Sequence, residues 1–256
     1  MKLRVVPPRT GLTWVRQGVR TFIRQPLALT GLFFMFWTSL LFMALVPFAG
    51  LAAVLVLTPA GTLGLLVGTQ QAEEGRFPWP SCLVQGFRAG REKRRQLLVL
   101  GFINAAIVGV IVAAVFALAS QEPIEGTAPP LVVTPASLAA AVLQLPLTLL
   151  FTLAPALVFW HDVPAAKAIF FSAVAMWRNL GAYCVFALAW VAILAGLLFA
   201  ARLLVQLSGP GLGLNLLGPL LMVLFAMATT SLFHMYRDSF EPDPPEALPP
   251  TDGESP

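Results

Sequence analysis

The chain has 256 residues, of which 58% are hydrophobic and only 11% are charged. Soluble domains carry about 25% charged residues, so this composition excludes a soluble globular protein. The excess of 16 Lys and Arg over 12 Asp and Glu would favour a nucleic-acid partner in a soluble chain. Here the basic residues flank apolar segments, so we predict a polytopic membrane protein that binds no nucleic acid.

Six apolar segments approach or exceed the roughly 20 residues that cross a bilayer as a helix. They cover residues 27–46, 50–70, 97–119, 137–160, 181–205 and 215–236. Proline and glycine interrupt the chain between them, and VPFAG at 46–50 joins the first two as a tight hairpin. The predicted fold class is all-α, with six transmembrane helices forming three hairpins in one membrane domain over 1–237. Residues 238–256 are acidic and proline-rich, which predicts a disordered cytoplasmic tail.

Basic residues are distributed unequally between the two sides of these segments. All of the 16 Lys and Arg residues except Arg202 fall on one side, while the opposite loops carry Glu122 and Glu125. Because basic loops resist translocation, we expect both termini in the cytoplasm. Arg202 lies close to the outer end of the fifth segment, where its stem can extend to the headgroups. A buried partner or a substrate anion is the alternative for Arg202.

A stretch compatible with an interfacial amphipathic helix precedes the first, third and fifth segments. In LTWVRQGVRTFIRQ one side gathers Leu12, Val15, Val19, Phe22 and Ile23, and an adjoining side gathers Arg16, Arg20 and Arg24. Each stretch ends in an arginine followed by an amide: Arg24-Gln25, Arg95-Gln96 and Arg178-Asn179. We interpret the chain as three units, each an interfacial helix followed by two spans. Internal duplication and positive-inside pressure alone both explain this repetition.

Three stretches carry a resemblance to a known family: MKLRVVPPRTGLTWVRQGVRTFIRQPLALTGLFFMF, VPFAG and KAIFFSAVAMWRNLGAYCVFAL. Together they resemble an uncharacterised proteobacterial family of multi-pass inner-membrane proteins. That family is distantly similar to the membrane domain of some glycerophosphodiester phosphodiesterases. The resemblance implies a six-span bacterial membrane protein and provides no catalytic residues, and no phosphodiesterase domain is present in the chain.

The segment FRAGREKRRQLLVLGF concentrates positive charge before the third span. We interpret this cluster as an orientation signal that contacts anionic lipid, with a protein partner or nucleic acid as alternatives. The predicted headgroup contacts over the whole chain are Arg16, Arg20, Arg24, Arg88, Arg91, Lys93, Arg94, Arg95 and Arg178.

Few residues have the character of a reactive site. His161, Asp162, His234 and Asp238 lie at the predicted cytoplasmic ends of the fourth and sixth spans. If those ends met, they could bind a divalent metal, but helix capping or headgroup contact is the favoured interpretation. We therefore predict no metal, no cofactor and no catalytic residue.

Polar residues inside the spans are sparse. Asn104 and Gln144 are the deepest amides, and we expect both to hydrogen-bond to neighbouring helices. Pro59, Pro146 and Pro155 would kink their helices, for packing or along a substrate path. Small residues recur every four positions, for example Ala60, Gly64 and Gly68 or Gly101, Ala105 and Gly109, which favours internal packing over dimerisation.

The predicted function is a non-enzymatic structural, lipid-associating or complex-assembly component of the membrane. A small-solute or lipid transporter is the first alternative, and a membrane enzyme is the second. The expected partners are anionic membrane lipids, and a homo-oligomer or a membrane-protein partner stays open.

Overall fold

The computed structural model describes residues 2–119, 135–208 and 210–241. Nine α-helices, a short 3-10 helix (Pro80–Val84) and one pair of two-residue strands make up the regular structure in these ranges. The helices are α1 (Thr10–Arg24), α2 (Pro26–Ala44), α3 (Gly50–Glu73), α4 (Gln85–Arg88), α5 (Arg91–Ala119), α6 (Pro135–His161), α7 (Ala165–Arg178), α8 (Leu180–Ser208) and α9 (Pro210–Ser239). The strands are β1 (Lys2–Leu3) and β2 (Phe240–Glu241).

The helical class is confirmed, and a long helix covers each predicted span. By length and composition, five helical stretches of the described chain can cross a membrane: Pro26–Ala44, Gly50–Glu73, Arg91–Val115, Leu180–Leu207 and Asn215–Ser239. In α6 the described apolar stretch is the shorter Leu147–His161.

The helices reach further than the apolar segments at several ends. α5 begins at Arg91, so most of the basic cluster forms the first turns of a long helix. The middle unit therefore lacks the predicted interfacial helix and has only the 3-10 turn and α4 before Gly90, whose φ of +104° interrupts the helix. α9 continues to Ser239, and Phe240 is only 2% exposed, so the first residues of the predicted tail are structured. Residues 242–256 of that tail lie outside the described residues.

Helix α1 packs into the bundle with a face that coincides only in part with the predicted apolar side. Trp14, Val15, Thr21 and Phe22 are buried, together with Gly11 and Gly18. Leu12 and Ile23, which the periodicity places on the same side as Val15 and Phe22, are 46% and 67% exposed. Small residues allow this approach, because a Cβ at Gly18 would overlap Ser231 of α9.

The exterior of the long helices is apolar. Exposed large side chains include Phe34, Trp37 and Phe42 in α2, Phe102 and Val110 in α5, and Leu188 and Phe199 in α8. A soluble protein rarely exposes an apolar surface of this extent, whereas a lipid-facing helix requires one.

The two ends of the described chain meet. β1 pairs antiparallel with β2 through Lys2 opposite Glu241 and Leu3 opposite Phe240. The backbone N–H of Arg4 also donates to the carbonyl of Ser239 at 3.0 Å. The N-terminal arm and the C-terminal end of α9 therefore lie on the same end of the bundle.

Candidate functional site

The amides that follow the junction arginines form contacts between successive units. Gln25 Nε2 donates to the carbonyl of Arg76 at 3.2 Å, in the connection that leads from α3 to α4. Gln96 Oε1 accepts the N–H of Ala165, the first residue of α7, at 3.0 Å. The third amide makes the corresponding contact with the N-terminal arm.

Asn179 closes this set of contacts through the start of the chain. Its Oδ1 accepts the N–H of Val6 at 2.8 Å, and its Nδ2 donates to the carbonyl of Arg4 at 3.0 Å. Each junction amide thus holds the segment that leads into the next unit, and the third holds the segment that leads back into the first. These contacts bring the three junctions together at one end of the bundle, which we call the junction end.

The predicted headgroup-contact residues lie at this junction end. Arg16, Arg20 and Arg24 are on α1, Arg88 is on α4, Arg91 to Arg95 are in the first turns of α5, and Arg178 ends α7. All of the arginines among them are exposed, whereas Lys93 is partly buried. Lys93 Nζ donates to the carbonyl of Phe159 at 2.8 Å and pairs with Asp162 at 2.9 Å, so it fixes the end of α6 instead of facing outward.

The acidic side chains at the junction end have partners within the fold. Glu73 pairs with Arg237 at 2.6 Å, Glu74 pairs with Arg76, and Glu92 accepts from Gln96 at 2.6 Å. Among the residues that the structure describes at this end, this leaves nine exposed arginines without an acidic partner: Arg4, Arg9, Arg16, Arg20, Arg24, Arg88, Arg91, Arg94 and Arg178. The junction end therefore carries uncompensated positive charge.

A polar network fixes α1 against α9 beneath this charge. Trp14, which is fully buried, donates from Nε1 to Asp238 Oδ2 at 2.9 Å. Thr21 Oγ1 and His234 Nε2 share a hydrogen bond of 3.0 Å, and Thr230 Oγ1 donates to the carbonyl of Gly18 at 2.9 Å. These contacts explain why α1 is anchored in the bundle along its length.

The four residues considered as a metal site do not converge. Asp162 pairs with Lys93, Asp238 accepts from Trp14, and His234 bonds to Thr21. The His161 ring lies against Tyr236, with 6.3 Å between ring centroids. Over the described ranges, no group of three or more His, Cys, Asp or Glu residues is placed to hold a metal ion.

Asn104 contacts a carbonyl that a proline has freed. Pro59 lies inside α3 and has no N–H, so the carbonyl of Leu55 four residues earlier loses its helical donor. Asn104 Nδ2 of α5 donates to that carbonyl at 2.8 Å, which confirms the expected interhelical bond of Asn104. Gly101 lets α5 approach closely, because a Cβ there would overlap the carbonyl of Val56. Pro59 and Asn104 thus act together in the contact between α3 and α5.

The other polar residues and prolines that the sequence analysis singled out within the predicted spans lie on α6 and α8. Gln144 is exposed on α6, and Pro155 is buried in the same helix.

Arg202 is exposed in a groove of about 420 Å³ between α8 and α9, beside Gln206, Val205 and Leu217. A second groove, of about 520 Å³, runs along the outer side of α1 between Val15 and Arg24. The loop with Glu122 and Glu125 and the side chain of Pro146 lie outside the part of the structure that is described.

Long apolar helices with an apolar exterior, and charge confined mainly to one end, define a multi-pass membrane protein. The chain is 35% identical over 265 residues to a curated protein of Burkholderia thailandensis called "probable inner membrane protein". The match covers 96% of this chain and 97% of that relative. The chain therefore belongs to the family of this probable inner-membrane protein, and it is a multi-pass protein of the inner membrane.

No family model matches the chain. No solved structure matches it either. These comparisons do not show the predicted relation to the membrane domain of glycerophosphodiester phosphodiesterases.

Proposed function

We propose that this protein is a non-enzymatic, lipid-associating component of the inner membrane whose junction end binds anionic phospholipid headgroups. In this proposal six helices span the bilayer, both termini are cytoplasmic, and α1 and α7 lie at the cytoplasmic headgroup level. The observation that carries the proposal is the set of exposed arginines at the junction end that have no acidic partner among the described residues.

Electrostatics supports lipid as the ligand of this end. A basic side chain close to an anionic membrane surface contributes about 1 kcal/mol to attraction. The arginines lie next to helices that enter the apolar bundle directly, since Arg24 precedes α2 by two residues and Arg178 precedes α8 by two. Guanidinium groups at that level meet phosphate groups of the same leaflet, and guanidinium binds phosphate in a bidentate manner.

The meeting of the chain ends supports six crossings. β1 and β2 pair at the junction end, so residues 2–3 and 240–241 lie at the same end of the bundle, which supports an even number of spans between them. Five helical stretches satisfy the length and composition of a span. Helix α6 is the natural sixth, because its 27 residues extend about 40 Å at 1.5 Å per residue.

The bond between Asn104 and Leu55 supports a packing role for the polar residues in the spans. A solute path would use the carbonyl freed by Pro59 and the amide of Asn104 as wet ligands, but here each group satisfies the other. This pairing favours a lipid-associating protein over the transporter alternative.

Native-membrane discs test the lipid proposal. The protein is extracted with its surrounding lipid, and the anionic share of that lipid is measured by mass spectrometry against the whole membrane. We expect enrichment for the wild type, and a fall towards the membrane average when Arg88, Arg91, Arg94 and Arg178 are changed together to Gln. The matched control changes the same four residues to Lys, which keeps the charge and should keep the enrichment. Wild-type discs without enrichment, or an unaltered Gln variant, would refute the proposal.

Reporter fusions test the orientation separately. Alkaline phosphatase, which is active only outside the cytoplasm, is fused after Pro256 or inserted within 122–130. We expect no activity from the first fusion and activity from the second. The reverse pattern would contradict the proposed topology and leave the lipid measurement interpretable on its own.

A further inference from the structure

The groove along α1 combines an apolar row with a cationic row. It is an open surface depression of about 520 Å³, and all of its lining residues belong to α1: Val15, Arg16, Val19, Arg20, Ile23 and Arg24. Both rows follow a spacing of four residues, which places successive members of a row about 6 Å apart along the helix. The opposite face of α1, with Trp14 and Gly18, is packed against α8 and α9. The groove therefore lies at the edge of the packed face: Val15 is 8% exposed and Val19 packs against the core, whereas Arg16, Arg20 and Ile23 face outward.

Two of the three groove arginines have free guanidinium groups. Arg16 and Arg20 are exposed, and neither has a hydrogen-bond or ionic partner among the residues that the structure describes. Arg24 differs, because its Nη1 donates to the carbonyl of Glu73 at 3.2 Å. The groove thus presents two uncompensated cations about 6 Å apart along α1. Each can bind one phosphate through two parallel hydrogen bonds.

The apolar row continues into the membrane-spanning part of the chain. Ile23 is 67% exposed at the end of α1, and Leu27 is 88% exposed in the first turn of α2. A hydrocarbon chain that follows Val19, Ile23 and Leu27 would pass from the cationic row towards the bilayer interior. This continuity favours a phospholipid over a soluble phosphate compound, which would gain nothing from the exposed apolar residues.

We propose that the α1 groove binds one phospholipid with two phosphates, a lipid of the cardiolipin class. One phosphate binds Arg16, the other binds Arg20, and an acyl chain lies along Val19, Ile23 and Leu27. Two phosphates in one molecule are favoured over two separate anionic lipids, because the first contact raises the effective concentration of the second phosphate at its arginine. This inference rests on the proposed lipid association and adds the site and the class of lipid.

Discs of defined composition test the selectivity of the groove. The purified full-length protein is reconstituted with phosphatidylethanolamine plus equal phosphate amounts of cardiolipin and phosphatidylglycerol, and the lipids retained after delipidation are measured by native mass spectrometry. We expect the wild type to retain cardiolipin preferentially. The double variant R16Q/R20Q should lower that retention roughly 30-fold, from about 1 kcal/mol for each arginine. The comparison variant R91Q/R94Q removes two arginines of the proposed headgroup-binding end, so it should lower the retention of both anionic lipids alike and keep the ratio of cardiolipin to phosphatidylglycerol.

A groove-filling variant separates shape from charge. Ile23→Trp keeps every arginine but occupies the exposed apolar row, and we expect it to lose cardiolipin while its melting temperature stays close to the wild-type value, because Ile23 is 67% exposed. Equal retention of cardiolipin and phosphatidylglycerol at equal phosphate would overturn this inference and leave the proposed function intact. So would an equal fall of the ratio of cardiolipin to phosphatidylglycerol in R16Q/R20Q and R91Q/R94Q. Failure of the native-disc measurement to show any anionic enrichment would instead overturn the proposed function, and this inference with it.

Discussion

Removing the side chain of Asn104 should destabilise the protein because a proline has left its acceptor without another donor. The carbonyl of Leu55 cannot bond to residue 59, which is proline, and Asn104 supplies the hydrogen bond at 2.8 Å instead. Interhelical hydrogen bonds in membranes contribute about 0.6 kcal/mol on average. Leaving a buried carbonyl unpaired costs about 1–3 kcal/mol in total, and the low average for membranes places this bond in the lower part of that range. We therefore expect Asn104→Ala to lower the free energy of unfolding by about 1–2 kcal/mol.

The reasoning is tested by repeating the change in a Pro59→Ala background. An alanine at 59 restores a backbone N–H that can bond to the Leu55 carbonyl within α3. Asn104→Ala should then cost only about 0.6 kcal/mol or less, which gives a coupling energy of about 1 kcal/mol between positions 59 and 104. The matched control is Gln144→Ala, which removes an exposed amide from α6 and should change stability by less than about 0.5 kcal/mol.

The measurement is reversible unfolding in lipid–detergent micelles, with increasing denaturing detergent and helicity followed by circular dichroism. All four proteins of the cycle and the control are compared under the same conditions. An Asn104→Ala cost that is equal in the two backgrounds, within about 0.4 kcal/mol, would show that proline and amide act independently and would refute this reasoning.

Two further predictions concern close packing and thiol reactivity. Gly18→Ala should lower the free energy of unfolding by about 1–3 kcal/mol in the same assay, because the new methyl group overlaps Ser231. The control Gly31→Ala has open space around it and should be neutral or stabilising. Equal effects of the two substitutions would contradict the α1–α9 contact. Burial raises the pKa of the Cys82 thiol, and this effect exceeds the lowering by its backbone hydrogen bond and by Arg76. Little thiolate therefore exists at pH 7, so labelling by a soluble maleimide should be slow at pH 7 and faster at higher pH. A cysteine at the exposed neighbouring position, Ser81→Cys in a chain without the other cysteines, should label rapidly at pH 7, and similar rates at the two positions would refute the buried placement.

The number and approximate limits of the long helices could be predicted because crossing a bilayer imposes a length of apolar residues that is visible along the chain. The ends were less predictable for the same reason. A helix continues beyond the apolar stretch wherever polar residues also adopt helical geometry, as at Arg91 in α5 and Asp238 in α9. Hydropathy indicates which residues can cross the lipid hydrocarbon, but it does not indicate the residue at which a helix ends.

Apolar periodicity predicted only part of the packing face of α1, namely Val15 and Phe22. In a water-soluble protein, large apolar residues mark the core, but in a membrane protein they face lipid as well. The signal for helix contact in α1 is instead the small residues, since Gly11 meets the backbone of α8 and Gly18 meets Ser231. Reading Gly11, Trp14, Gly18 and Thr21 as one stripe would have identified the buried face.

The middle unit departs from the other two because of a single backbone position. Gly90 adopts a φ of +104°, which separates the short α4 from α5 and assigns the basic cluster to the start of a long helix. The sequence RAGREK contains this glycine, but the run of basic residues is a more prominent feature of the sequence than the helix break at Gly90. The middle unit therefore places its arginines on the first turns of α5, while the first unit places them along α1.

The arrangement of the junction amides bears on the origin of the repeat. Positive-inside pressure explains an arginine before each inward-starting span, because it acts on charge alone. It does not explain why the neutral residue that follows each arginine contacts the segment leading into the next unit, as Gln25, Gln96 and Asn179 do. The contacts also form a closed cycle, since the third unit reaches the N-terminal arm and β1 lies against the end of α9. Gln25 donates, Gln96 accepts and Asn179 does both, but each contacts backbone of the segment that leads into the next unit. This recurrence favours internal duplication over independent placement of three arginines.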